Sequence, residues 1–240
     1  MTAAYDPARL YDLKKQVLET SLTMSRSGMA PATWGNVSAR DPETGLVVIT
    51  PSGIPYDKLT PKDMCVVDVN ENHVDCPWKP STETPLHCVF YRAKPWCNAI
   101  VHTHSLYATA FEALGWEIPV VVATLASAVG GSVPCAPYTM SGDAHFGEVA
   151  LKAMGDRTAV LLGNHGVVAL GKDLADAYTV AEVVENAAKI YHFAKTVGEP
   201  NILSDEAVGH PEKVPDHLRS EVTPWVRFPA AYGPWASSPA

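Results

Sequence analysis

The chain has 240 residues, of which 47% are hydrophobic, and a formal net charge of -8 at pH 7 with an isoelectric point near 5.5. This length and apolar content allow a sizeable core, and we expect one large domain rather than two small ones. The acidic balance leaves no basic surplus that could neutralise phosphate backbones or an anionic membrane, so it argues against nucleic-acid and membrane partners.

The first elements along the chain are one predicted helix and two predicted strands. Apolar residues recur at helical spacing between residues 6 and 27, and Gly28 follows at the position of a left-handed helix terminator. Residues 45–50 and 64–69 are short β-branched runs separated by the turn-rich segment 51–55. These runs predict strands.

Further helices and strands follow in the second half of the chain. A capping hydroxyl and a first-turn proline in residues 80–85 predict the start of a helix. Residues 98–105 pass from apolar to polar, as a strand leaving a core would, with two histidines at its exit. Hydrophobic patterns predict helices over 144–154 and 174–197, and strands over 159–163 and 167–170. Together these elements predict an α/β fold in which helices cover a mixed sheet.

The last part of the chain differs in composition from the rest. Prolines and aromatic residues alternate from about residue 209 onward, among them Trp225, Phe228 and Tyr232. We therefore expect a domain over residues 1–208 and an irregular tail over 209–240. Because exposed aromatics need a surface to cover, the tail is expected to pack on its own or a neighbouring subunit.

Cysteine usage and the N-terminus both bear on the compartment. The five cysteines form no CxxC pair and no framework spacing, which is typical of reduced thiols. Residues 1–10 contain Asp6 and Arg9 and no apolar run that could serve as a signal-peptide core. The apolar stretch 118–126 is too short for a helix that crosses a bilayer. We expect a cytoplasmic protein.

Three histidines are candidates for a metal site. His102 and His104 are two residues apart, so on an extended segment both imidazoles leave the same side of the backbone. His165 lies between Gly163 and Gly166, which suit a tight chain path that aims one ring at a fixed point. Three neutral imidazoles and an open fourth position are typical of catalytic zinc. Each histidine could instead be a hydrogen-bonded structural residue, and no spacing rule connects His104 to His165.

Glu83 and three hydroxyl-rich turns are the remaining candidates. At a helix N-terminus Glu83 could simply be stabilised by the helix dipole, or it could serve as ligand and general base beside a metal. If the turns converge, their hydroxyl and backbone N–H groups would form a nest for one phosphate monoester, although each turn alone is ordinary turn chemistry. The residues of this pocket are Thr33, Asn36, Ser52, Gly53, Ser81 and Thr82.

Five segments in order resemble the class II aldolase/adducin family. They are TWGNVS at 33–38, ITPSGIPY at 49–56, PSTE at 80–83, VHTHS at 101–105 and GNHG at 163–166. The resemblance runs from about residue 10 to residue 207. It implies a three-layer αβα fold with a central, mostly antiparallel sheet, and a homotetramer whose sites lie between subunits.

The same resemblance implies roles for the candidate residues. His102, His104 and His165 correspond to the family's metal ligands, and Glu83 to the carboxylate that acts as acid and base and can also touch the ion. The six turn residues correspond to the phosphate pocket. The implied metal is Zn²⁺, although imidazole ligands also accept Mn²⁺ or Co²⁺.

The implied activity is that of a zinc-dependent lyase. A phosphorylated ketose of the fuculose- or ribulose-phosphate kind would be cleaved to dihydroxyacetone phosphate and an aldehyde, with Glu83 handling the proton at the enediolate carbon. The segment 120–131 departs from the family, because Ala123 stands where aldolases carry a tyrosine and Ser127 where epimerases carry an acid. Tyr232 in the tail is the candidate for the missing proton donor.

Other family activities stay open at this point. A sugar-phosphate 4-epimerase is the main alternative, although epimerases carry aspartate at the position of Glu83, and decarboxylases and dehydratases use the same metal site. An adducin-like association module would not need the ligands. Since all three histidines and the carboxylate are present, the sequence favours an enzyme.

Overall fold

The computed structural model describes residues 7–204, within which six α-helices, two short 3-10 helices (Tyr56–Lys58 and Pro61–Asp63) and eight strands are found. The helices are α1 Pro7–Arg26, α2 Thr84–Ala93, α3 Leu106–Ala113, α4 Ala123–Val129, α5 Ala144–Met154 and α6 Leu174–Val197. The strands are β1 Asn36–Arg40, β2 Val47–Ile49, β3 Cys65–Val67, β4 His73–Asp75, β5 Ala99–Thr103, β6 Cys135–Ala136, β7 Ala159–Leu162 and β8 Gly166–Gly171. The predicted boundary at residue 208, the tail and Tyr232 lie outside the described residues. None of the helices described is long and apolar enough to cross a membrane.

The eight strands form one sheet in the order β4-β3-β2-β1-β5-β8-β7-β6. Every pairing is antiparallel except the one between β6 and β7. Helices cover both faces, so the chain has three layers, and the predicted α/β fold with a mostly antiparallel sheet is confirmed.

Alternating strand residues supply two separate cores. In β5, Ala99 and Val101 face the core beneath α1, α3, α4 and α6, whereas Ile100 faces the core beneath α2 and α5. This alternation follows from the two-residue period of a strand. His102 therefore shares the face of Ile100, which is the face that α2 covers.

Strand direction gathers the chain segments of interest at one edge of the sheet. Because β1 runs antiparallel to both β2 and β5, the start of β1 lies beside the ends of those two strands. Antiparallel pairing of β5 with β8 adds the start of β8 to the same edge. Asn36, at the start of β1, is directly opposite His102 in register.

Most predicted elements are confirmed, and five are additions. The first helix, the strands near residues 47, 65, 99, 159 and 167, and the helices at 84–93, 144–154 and 174–197 occur as predicted to within a few residues. Gly28 has φ +80° at the end of α1, as its terminator position requires. No sequence pattern predicted the other five elements, which are β1, β4, β6, α3 and α4. In β1 the inward residues Asn36 and Ser38 are polar although buried, so the strand has the composition of a turn.

We predict that Gly171→Ala destabilises the fold. A Cβ at this position would lie 2.2 Å from the backbone nitrogen of Ala177 and 2.7 Å from the carbonyl oxygen of Asp173, where β8 meets the first turn of α6. Relieving this overlap should lower the free energy of unfolding by about 1–3 kcal/mol. Gly198→Ala is the control, because nothing lies within 4 Å of its added Cβ. Urea unfolding curves with the same midpoint for both variants would contradict the prediction.

Candidate active site

The three predicted histidines lie together at the edge of the sheet. Their ligand-capable nitrogens all fall within 4.8 Å of one another. His102 is fully buried, and its Nδ1 lies 2.9 Å from the carbonyl oxygen of Val167, to which it donates. That bond leaves Nε2 unprotonated and directed into the cluster, 3.1 Å from Nε2 of His104.

A tight turn before β8 brings His165 to this cluster. Asn164 has φ 55°, a left-handed conformation that few residues other than glycine adopt. Gly166 is required for space, since a Cβ there would lie 2.4 Å from the carbonyl oxygen of Thr103. The backbone N–H of His165 donates to Oε2 of Glu112 at 2.9 Å, so a buried carboxylate of α3 also holds the turn.

Glu83 reaches the cluster from the helix layer that covers this face of the sheet. It lies at the N-terminus of α2, but its carboxylate makes no capping hydrogen bond to the helix. Instead Oε1 lies 2.7 Å from Nε2 of His165, and Oε2 lies 3.1 Å from Nε2 of His102. The amide of Asn36 donates to Oε2 at 2.7 Å. The carboxylate thus belongs to the imidazole cluster rather than to the helix terminus.

The charge state of the cluster is that of a cation site. Burial works to raise the pKa of Glu83, but the neighbouring His102 and His165 and the Asn36 amide outweigh it, so this pKa lies well below its usual range. Burial lowers the pKa of His102, and burial together with the neighbouring His102 and His165 lowers that of His104 to about 3. The rings of His102 and His104 are therefore neutral, as metal ligands must be.

A buried nitrogen without a hydrogen-bond partner also supports a cation site. Nε2 of His165 is buried and, despite its closeness to Glu83, makes no hydrogen bond of acceptable geometry. Buried polar atoms without a partner are rare and need an explanation. One carboxylate and three imidazole nitrogens that converge, one of them unsatisfied, fit a divalent cation of the zinc type.

The turns predicted to hold a phosphate lie at the same edge as the histidines. The backbone N–H of Ser52 donates to the carbonyl oxygen of Lys79, and that of Ser81 to Thr50, so the second and third turns are adjacent. Thr50 also pairs with Val37, directly after the first turn. Ser81 is buried, with its Oγ accepting from the N–H of Glu83 at 3.2 Å.

The other residues of this pocket differ in exposure. Thr82 and Gly53 are exposed, and Thr33 and Ser52 are half-buried. Asn36 is buried, and both ends of its side-chain amide are hydrogen-bonded within the protein, to Glu83 on one side and to His87 on the other.

In segment 120–131, which departs from the family, neither Ala123 nor Ser127 carries an acidic group or a phenol. Ala123 and Ser127 lie in α4, and the Ser127 hydroxyl donates to the carbonyl oxygen of Ala123 at 3.2 Å. No helix or strand was predicted for this segment, and its residues 123–129 form the short helix α4.

Several polar residues around the site were not predicted from the sequence. His87 and Tyr91 of α2 are fully buried or nearly so, as are Ser38 of β1 and Glu112 of α3. Trp34 is 64% exposed, and the centroid of its ring lies 6.0 Å from that of His104. A signal existed for α2, because Glu83, His87 and Tyr91 are spaced four residues apart and so share one face of a helix.

Comparisons with known proteins identify the family of this chain. A sheet covered by helices on both faces, with three histidines at the ends of its strands that could hold a metal ion, defines the general class of this αβα domain. The family described as Class II Aldolase and Adducin N-terminal domain matches residues 15–192. The chain belongs to this family.

Curated relatives match over most of their length. A 5-deoxy-D-ribulose 1-phosphate aldolase of Bacillus thuringiensis serovar kurstaki is 39% identical over 193 residues, which are 80% of this chain and 90% of the relative. An L-fuculose phosphate aldolase of Escherichia coli (strain K12) is 37% identical over 197 residues, 82% of this chain and 90% of that protein. A solved L-fuculose 1-phosphate aldolase superposes with TM-score 0.80 at 34% identity, covering 87% of this chain and 96% of the other.

We predict that His87 contributes to acid destabilisation. Burial, and secondarily His102, lowers its pKa from 6.5 to about 3. Between these pH values the unfolded chain binds a proton that the folded chain does not, so stability is full above pH 6.5 and falls as the pH falls. One such proton contributes a slope of about 1.4 kcal/mol per pH unit.

His87→Gln removes this proton and should flatten the slope between pH 6.5 and 4.5. The measurement is denaturant unfolding of chelator-treated protein at a series of pH values. An unchanged slope in the variant would show that His87 is not the source.

Proposed function

We propose that this chain is a metal-dependent lyase that cleaves a phosphorylated ketose to dihydroxyacetone phosphate and an aldehyde. The observation that carries the proposal is a buried, ionised carboxylate in contact with a cluster of three imidazoles. Two relatives that match most of the chain are named for the cleavage of 5-deoxy-D-ribulose 1-phosphate and L-fuculose phosphate. Their names favour an aldolase over an epimerase, a decarboxylase or a dehydratase.

His102, His104 and His165 hold the metal in this proposal, and Glu83 is a ligand when no substrate is present. Zn²⁺ suits three imidazoles best, and Mn²⁺ or Co²⁺ can replace it. When bound, the ion supplies a Lewis acid for the carbonyl oxygen of the ketose. The bond from Nδ1 of His102 to Val167 fixes which nitrogen of that ring is available.

Glu83 is the acid and base of the reaction in this proposal. Its low pKa keeps it ionised before substrate binds, so it can accept a proton. In cleavage, the hydroxyl on the aldehyde side loses its proton as the carbon–carbon bond breaks, and Glu83, having taken up one proton, delivers it to the enediolate carbon of dihydroxyacetone phosphate, so that one proton is lost, one is gained and the carboxylate is restored. The Asn36 amide orients one carboxylate oxygen, while the other faces the histidines.

The phosphate is bound by the three turns beside the cluster. Hydroxyl and backbone N–H groups suit a phosphate monoester where no basic side chain is required. The residues assigned to this pocket are Thr33, Asn36, Ser52, Gly53, Ser81 and Thr82. Asn36 contributes from the border of the pocket, because its amide also contacts Glu83.

The second proton donor and the assembly complete the proposal. Ala123 and Ser127 carry no acidic group. We therefore assign the proton transfer at the aldehyde oxygen to Tyr232, in the tail of residues 209–240. In this proposal the tail follows the catalytic domain of residues 1–208 and packs on its own or a neighbouring subunit of a homotetramer. Large exposed apolar side chains, such as Leu106 and Trp116, support an assembly of several copies. We place the enzyme in the cytoplasm.

The second candidate function is that of a non-catalytic association module, and the residues of the site argue against it. Such a module has no use for an ionised carboxylate and a histidine cluster. Keeping these groups buried without a task would cost stability. The described residues retain all four groups in contact.

The proposed reaction predicts metal-dependent cleavage. Purified protein, prepared without chelator, should contain about one divalent ion per chain. Incubation with a panel of ketose 1-phosphates should give dihydroxyacetone phosphate and an aldehyde, identified by mass. Chelation should abolish the products, and Zn²⁺ should restore them. Protein free of metal, or products that differ from the substrate by epimerisation or by loss of CO₂ or water, would refute the aldolase.

Glu83→Gln should keep the metal and lose turnover. The three imidazoles remain as ligands, but an amide cannot accept or return the proton, so we expect a loss of about 100-fold or more in kcat. Glu148→Gln is a control on an exposed carboxylate of α5 and should behave as the unchanged protein. If kcat of Glu83→Gln equals that of the control, Glu83 has no role as acid and base.

A further inference from the structure

A chain of buried polar groups leads away from Glu83 into the layer between β1 and α2. Nε2 of His87 lies 2.5 Å from Oδ1 of Asn36, and its Nδ1 lies 2.6 Å from the hydroxyl of Ser38. The Ser38 hydroxyl lies 2.7 Å from that of Tyr91. All of these side chains are at most 5% exposed. The proposed reaction assigns no task to His87, Ser38 or Tyr91.

The spacing of the chain follows from the geometry of its two elements. Glu83, His87 and Tyr91 are four residues apart on α2, which corresponds to a rise of about 6 Å per step. Asn36 and Ser38 are two residues apart on β1, a rise of about 6.6 Å. Because the two steps nearly match, helix and strand side chains can alternate along one continuous line of hydrogen bonds.

The direction of every hydrogen bond in this line follows from Glu83. An ionised carboxylate only accepts, so the NH₂ group of Asn36 faces Glu83 and its oxygen faces His87. Nε2 of His87 must then carry the proton, which makes Nδ1 the acceptor of the Ser38 hydroxyl. The oxygen of Ser38 in turn accepts from Tyr91. Each donor in the line therefore points toward the carboxylate.

We propose that His87, Ser38 and Tyr91 are positioning residues that hold the Asn36 amide in the orientation that presents a donor to Glu83. This inference rests on the proposed function, since it gives the line its task in the reaction. Without the His87 donor, the Asn36 amide is free to turn its oxygen toward the carboxylate. Glu83 would then lose a hydrogen bond and face a repulsive dipole, and its aim at the substrate carbon would change.

The test isolates the step that Glu83 performs. In D₂O without aldehyde, the enzyme should move a proton from the hydroxymethyl carbon of dihydroxyacetone phosphate to the Glu83 carboxylate, exchange it and return a deuteron. His87→Leu removes both ring nitrogens and should slow this exchange about 10–100-fold, with KM and metal content within about twofold of the unchanged protein. Ser38→Ala should give a smaller loss, because His87 can then adopt the other tautomer.

Rescue and control variants separate positioning from folding. The side chain of His87→Gln keeps an acceptor and a donor on either side of one carbon, as the imidazole ring does. Its exchange rate should therefore be within about threefold of that of the unchanged protein. Cys88→Ala changes a neighbouring buried side chain of α2 that lies outside the line. It should lower the thermal stability about as much as His87→Leu does and leave the exchange rate unchanged. If His87→Leu exchanges as fast per bound metal as Cys88→Ala, the role is merely structural and the proposal is wrong. If His87→Leu fails to fold, Ser38→Ala decides: exchange per bound metal as fast as that of Cys88→Ala would make the proposal wrong.

A second measurement does not depend on activity. In ¹⁵N-histidine spectra of the full chain, His87 should be the neutral tautomer with the proton on Nε2, and Ser38→Ala should shift it toward the Nδ1 form. An Nδ1 proton in the unchanged protein would overturn the inferred direction of the line. Absence of deuterium exchange in the unchanged protein would instead count against the proposed reaction, because the tautomer is decided independently.

Discussion

The rest of the site depends on one constraint, the burial of a carboxylate charge at Glu83. This side chain is 7% exposed, and a charge so removed from water is stable only with hydrogen-bond donors and opposite charge around it. The donors come from Asn36, while His102 and His165 supply the imidazole contacts. These three residues lie on β1, on β5 and before β8, which are neighbours in the sheet. The strand order therefore places the amide donor and the imidazole nitrogens around the carboxylate.

Elements with one apolar face could be predicted from the sequence, because their periodicity reports burial directly. The bounds of α5 and α6 are those expected from the pattern, and β5, β7 and β8 differ by a residue or two. The elements that were missed lack this signal. Strand β1 places buried polar residues inward, β6 has two residues, and α4 is apolar on most sides within a run of valines and alanines.

The site was predictable as a set of residues but not as a geometry. His102 and His104 could be paired by their spacing, yet the approach of His165 depends on the pairing of β5 with β8, which no local pattern encodes. Its link to Glu83 came from the family resemblance alone. His87 and Tyr91 escaped notice for a different reason. Polar residues four apart on a helix have the pattern of a solvated face, and only the tertiary packing buries them.

The rise over four residues of α2 nearly equals the rise over two residues of β1. This match also limits where insertions and deletions can occur in sequences that keep the line of hydrogen bonds. One residue inserted before Ser38 within β1 would turn the following side chains to the other face of the sheet. One residue inserted in α2 between Glu83 and Tyr91 would rotate the helix by about 100° and remove the later residues from the line. Insertions and deletions that preserve this line must therefore fall outside β1 and outside the part of α2 up to Tyr91. Length variation among sequences with this line should be confined to segments such as the one between β6 and α5.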